Sequence, residues 1–229
     1  MGVLMVTKEQ VFEIMGKYYG NDYYRSAIRL GISESDLKLT AQLLDQINAL
    51  GYNFSNLHKL NETEDLRFPP LILGCFDKFT ALNYQVGALS TVCFKSYYRF
   101  IPQLLQIYQN TESSQIRVCA SQCIFSINSP KYVANCLEIV NQPHYGAEHD
   151  YLIAYLCKQR AHNVIPRLLN LLEEYPAVWR WTFLRYVSYF KEPSLIPYVE
   201  PFLQADDGEI RTLAKKAIRK LEDVSQPID

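Results

Sequence analysis

Two imidazoles and two carboxylates stand close together at His144, Glu148, His149 and Asp150. A histidine titrates near neutrality, so carboxylates beside it are the raw material of acid–base or metal chemistry. Their expected place, a turn and the first turn of a helix, gives capping and solvent exposure as the simpler account. A second group is aromatic and basic: Trp179, Arg180, Trp181, Arg185, Tyr186, Tyr189 and Phe190. Helical geometry spreads these residues around the cylinder, so some face the core and some the surface. Trp181 and Arg185, at i and i+4, can share an exposed face, and Trp, Tyr and Arg are the types enriched at interface hot spots. Cys119 and Cys123 are also four apart, a spacing compatible with metal, but no companion ligands accompany them and core packing explains both. There is no glycine-rich phosphate loop and no nucleophile elbow. No catalytic residue, metal site or cofactor is therefore expected, and an enzyme is not the favoured reading.

These side chains need a scaffold, and the composition supplies one. The chain has 229 residues with 48% hydrophobic content, enough for a continuous core. A formal net charge of -1 disfavours a nucleic-acid partner, whose phosphates demand a surplus of clustered cations. The six cysteines show no paired spacing and read as reduced core residues of a cytoplasmic protein. The apolar run Val3–Val6 is too short for a signal segment, Val6 stands where a myristoylation motif requires a hydroxyl, and no stretch approaches a membrane span.

Self-similarity organises the rest. An apolar residue followed by Pro or Ala recurs at Pro69-Pro70, Ile101-Pro102, Val133-Ala134, Ile165-Pro166 and Ile196-Pro197, in steps of 32, 32, 32 and 31 residues. Proline suits the first turn of a helix, where its missing N–H costs nothing, so each pair marks a helix start. Downstream, apolar columns align as Ile72, Leu104, Cys136, Leu168 and Val199, then Cys75, Ile107, Ile139, Leu171 and Phe202, then Phe76, Tyr108, Val140, Leu172 and Leu203. A second helix in each unit carries Ile116-Arg117, Trp179-Arg180 and Ile210-Arg211, with His149 and Gln85 at the matching places of the third and first units.

On these residues the chain resembles the HEAT-like family of α-solenoids, whose units carry a proline early in the first helix and a hydrophobic–Arg pair early in the second. The resemblance covers about residues 68 to 222, and the period is that of a short bacterial variety rather than the ~40–47 of longer units. It implies an all-α superhelix of five helical hairpins. Residues 1–67 are expected to form capping helices and a surface loop, continuous as one domain with 68–229. The expected N-terminal helices run Lys8–Tyr19, Asp22–Leu30 and Glu34–Leu50, and Ser33 with Asp36 reads as a capping box. The resemblance also implies that Arg117, His149, Arg180 and Arg211 form a structural ladder bonded to the adjacent repeat.

Solenoids present long curved surfaces, so the expected function is noncatalytic capture of a protein partner on the concave face, an inhibitor or immunity-type protein being one form. Expected contact residues are Gln122, Tyr151, Tyr155, Trp181 and Arg185. Some members of the family are DNA glycosylases acting on alkylated bases, and Asp150, Trp181 and Arg185 supply the residue types of that alternative. Metal-dependent hydroxylases of the family carry paired His-Glu motifs, and this sequence has no His-Glu dipeptide.

Overall fold

The computed structural model describes residues 33–146 and 151–223. The expected helices at Lys8–Tyr19 and Asp22–Leu30 and the tail from Val224 lie outside the described residues, as do Glu148, His149 and Asp150. Among the described residues the chain is all-helical, built of α-helices and 3-10 turns without a β-strand. Its contacts gather into two compact units, residues 1–127 and 128–229.

In the first unit, α1 spans Glu34–Asn48. Ser33 Oγ accepts from the Asp36 amide at 3.4 Å and caps it, and Leu37, Ala41, Leu44 and Ile47 form its buried stripe. Asp36 does not complete the capping box. Its buried carboxylate accepts instead from the Thr80 and Ala81 amides, both at 2.7 Å, just ahead of a later helix. Two hairpins follow: α2 (Phe68–Cys75) with α3 (Leu82–Ser90), and α4 (Ile101–Asn110) with α5 (Ser114–Ile127). Helix α1 packs on α2, each first helix on its second, and α3 on α5.

The second unit holds three more pairs: α6 (Val133–Val140) with α7 (Leu152–Lys158), α8 (Ile165–Glu174) with α9 (Pro176–Tyr186), and the short α10 (Ile196–Val199) with α11 (Gly208–Glu222). Again each first helix packs on its second, while α7 packs on α9 and α9 on α11.

The sequence period is visible in these local geometries. Helices α2, α4, α6, α8 and α10 begin at the expected places, the last four entered through 3-10 turns. The first apolar column, Ile72, Leu104, Cys136, Leu168 and Val199, is buried to 1% exposure or less. The other columns are mixed, with Ile107, Leu172, Phe202 and Leu203 half-buried. Among the described residues, three other than glycine adopt positive φ, Asn128 at 55°, Arg160 at 54° and Lys191 at 55°, each in the turn that leaves a second helix. They are 32 and 31 residues apart. Gln159 Nε2 donates to the Asn128 carbonyl at 3.1 Å and to its Oδ1 at 2.8 Å, tying one such turn to the end of the following second helix.

The segment expected as a surface loop, residues 51–67, is built into the first unit. It contains a 3-10 turn, Leu57–Glu62, with Leu60 buried. Tyr52 stacks on Phe54 at 5.0 Å and meets Phe68 edge-on at 5.0 Å. The buried Tyr97 hydroxyl donates to the Asp65 carbonyl at 3.0 Å and accepts from the Asp65 amide at 2.9 Å, so the segment closes onto the chain 32 residues later.

Candidate partner-binding surface

Helix α9 sorts its aromatic and basic residues by face. Trp179, Thr182, Phe183 and Leu184 are buried, and Trp179 Nε1 donates to the Gly146 carbonyl at 2.7 Å. Trp181 stays half-buried at the surface. The Arg185 guanidinium lies over its ring, 5.6 Å from the centroid, as the i, i+4 spacing allows. The Arg185 side chain is 55% exposed and reaches Glu209, at the start of α11, at 3.9 Å. Just beyond, the half-buried rings of Tyr186 and Tyr189 lie 6.1 Å apart. Burial raises the Tyr186 phenol above its ordinary pKa, Arg185 opposes the shift, and Tyr151 lies within electrostatic reach. Tyr151 is half-buried and immediately precedes α7.

The second unit therefore carries two partly exposed pairs in succession along the chain, Arg185 over Trp181 and Tyr186 beside Tyr189. Helix α11 turns Ile210, Ala214, Ala217 and Leu221 inward and exposes Lys215, Lys216, Arg219 and Lys220. Lys216 stands 31 residues after Arg185. The same step relates Arg180 to Arg211, and applied to Arg185 it identifies Lys216 from sequence. Gln122, on α5 of the first unit, is exposed.

Tyr155 corrects the expectation of a surface contact. It is 0% exposed, its hydroxyl donates to the Ser129 carbonyl at 2.7 Å, and burial pushes its phenol well up. Every residue from Leu152 to Cys157 is buried, so α7 is apolar all round and has no outer face on which Tyr155 could sit.

Two arginines of the ladder reach carbonyls of a nearby turn. Arg117 Nη1 donates to the Thr111 carbonyl at 2.8 Å, and Arg211 Nη1 to Ala205 at 2.6 Å and Asp206 at 2.8 Å. These carbonyls belong to the turn inside the arginine's own hairpin. Gln85, at the matching place, donates to Phe79 at 3.1 Å, again six residues back. Arg180 is half-buried, with its Nε enclosed and without a hydrogen-bond partner. His149 lies outside the described residues.

His144 is exposed in the turn that follows α6. Among the described residues no group of three or more His, Cys, Asp or Glu could hold a metal ion, and no helix is long and apolar enough to cross a membrane. The first unit carries a groove of about 820 Å³ whose polar lining comprises the amides of Gln85, Gln103, Gln106 and Asn110, the hydroxyls of Thr111 and Ser113, and the carboxylates of Asp77 and Glu112. The surface of the second unit presents aromatic area beside a guanidinium, the residue types enriched at interface hot spots.

No protein family's profile matches the chain, and neither a curated protein nor a solved structure matches it.

Proposed function

We propose that the chain is a HEAT-like α-solenoid of short repeats and that it captures a protein partner on its second-helix face, without catalysis, in the cytoplasm. The observation that carries the binding reading is the Trp181–Arg185 stack. A tryptophan ring with a guanidinium over it, left half-buried at the surface, is costly to leave wet and complementary to a partner's aromatic or acidic groups. The repeat reading is supported by helix starts and left-handed turn residues recurring at 31–32 residues, and by the side-chain bond to the carbonyl six residues back. The cytoplasmic reading is supported by six cysteines that are all free. An inhibitor or immunity-type role is one form of this function.

The experiment is affinity capture from native lysate with wild-type and Trp181→Ala/Arg185→Ala bait, each half nuclease-treated. Loss of a nuclease-resistant protein partner with the double variant is expected. Recovery of nucleic acid alone, from untreated lysate alone, would replace this reading with the glycosylase one.

A further inference from the structure

We propose that Cys93 and Cys123 form a peroxide-sensitive dithiol that closes to a disulfide within the first unit. Cys93 lies in the segment leaving α3 and Cys123 lies mid-way along α5, which packs on α3. Their sulfurs are 3.0 Å apart, the Cys93 thiol donating to Cys123 Sγ. A disulfide needs ~2.05 Å, so about one ångström of closure makes the bond. The two cysteines differ in access, which divides the roles. Cys93 is half-buried and open to a small oxidant; Cys123 is fully buried and also donates to the Leu89 carbonyl at 3.1 Å. Hydrogen bonds with Cys119 and Cys93, reinforced by burial, hold the Cys123 thiol well above its ordinary pKa, so it stays protonated until a partner sulfur is activated beside it.

Cys75 and Cys157 lack this arrangement. Burial pushes Cys75 up to about 11 and its thiol is spent on the Ile72 carbonyl, while Cys157 is sealed in the core. Cys119 also hydrogen-bonds Cys123, which lowers its own thiol pKa, but it is buried, lies four residues from Cys123 on the same helix and is turned toward the Val86 carbonyl at 3.6 Å.

The oxidant is a hydroperoxide, with hydrogen peroxide the simplest. The Cys93 thiolate attacks one peroxide oxygen and the O–O bond breaks. The product is a Cys93 sulfenic acid, and the hydroxide released takes up the proton that the thiol gave to solvent. Cys123 sulfur then attacks Cys93 sulfur and the S–O bond breaks. The departing hydroxide takes the Cys123 proton and leaves as water. In sum, two thiols are oxidised to one disulfide and one peroxide is reduced to two waters. The bridge joins α5 to the segment that follows α3, removes freedom from the unfolded chain and raises the melting midpoint by several degrees. This inference does not depend on the partner-binding reading.

The test treats the reduced full-length chain with a few equivalents of hydrogen peroxide, alkylates it under denaturing conditions and digests it with trypsin. The expected product joins the peptide Phe79–Lys95 to the peptide Val118–Lys131. It persists in Cys119→Ser, is absent from Cys93→Ser and Cys123→Ser, and is reversed by dithiothreitol. The half-buried Cys93→Ser keeps the unoxidised melting point but loses the oxidation-dependent rise. Alkylation of all six thiols at doses that oxidise a free-thiol control, a bond between Cys119 and Cys123, or intermolecular dimers alone would overturn the proposal.

Discussion

Arg117 donates its Nη1 hydrogen to the carbonyl of Thr111 at 2.8 Å, closing the turn between the two helices of its own hairpin. Arg211 makes the same bond to Ala205 and Gln85 a weaker copy to Phe79. The last carbonyls of a helix have no partner within it, and a long side chain from the first turn of the next helix supplies one. Arg117 and Arg211 thus clamp the turn that precedes their helix.

Removing the clamp should destabilise locally. Arg117→Ala and Arg211→Ala are each expected to cost about 1–2 kcal/mol, because a charge-assisted hydrogen bond is lost and turn carbonyls lose a partner. Urea unfolding followed by circular dichroism measures this, and lysine at either position should recover only part of the loss, since it cannot reproduce the guanidinium fork.

Gly146 and Gly51 separate two costs of a side chain. Both have positive φ, 116° and 102°. A Cβ on Gly146 would stand 1.9 Å from Leu171 Cδ2, whereas one on Gly51 meets nothing within 4 Å. Gly51→Ala should cost about 1 kcal/mol of backbone strain alone, and Gly146→Ala about 2–4 kcal/mol, since it also displaces Leu171 and the carbonyl that Trp179 bonds. Thermal melts of the two variants rank them.

Asp65 carries a pH dependence. The Arg67 guanidinium, bonded to both its carboxylate oxygens at 3.0 Å through Nε, and the Tyr52 hydroxyl at 2.7 Å hold its carboxyl well below the usual carboxylate range. With the folded value depressed, this contribution is complete above the unfolded pKa of about 3.9 and is lost as the pH falls below it. The difference in urea midpoint between wild type and Asp65→Asn should therefore be larger at about pH 7 than at about pH 3. An unchanged difference would show that the carboxylate acts by shape and not by charge.

Trp181→Ala/Arg185→Ala should leave stability within about 0.5–1 kcal/mol of wild type, because the pair sits at the surface and a partly exposed cation–π contact is worth little. Trp179→Phe, one turn-face away, should cost about 1–3 kcal/mol by leaving the buried Gly146 carbonyl unbonded. Denaturant unfolding compares the two.

Helix starts were legible because proline has one place in a helix where it costs nothing, and the column from Ile72 to Val199 was legible because burial at fixed spacing leaves a period. Tyr155 misled because tyrosine serves surface and core alike. Its neighbours Leu152, Ile153, Leu156 and Cys157 already marked a helix buried on every side. The acceptors of Arg117 and Arg211 could not be read, since backbone carbonyls carry no residue signature. Residues 51–67 looked like a polar loop because Tyr52, Phe54 and Leu60 have no helical or strand period, and only the tertiary contacts with Phe68 and Tyr97 show them as part of the fold.

The most direct test of the account is capture of partners from nuclease-treated native lysate by three baits: wild type, Trp181→Ala/Arg185→Ala, and a control altered on the exposed face of α4, Gln103→Ala/Gln106→Ala. The account predicts a protein retained by wild type and the control and lost with the Trp181/Arg185 variant while its melting curve is unchanged. Equal capture by all three baits, or loss of the partner together with loss of the fold, would contradict it.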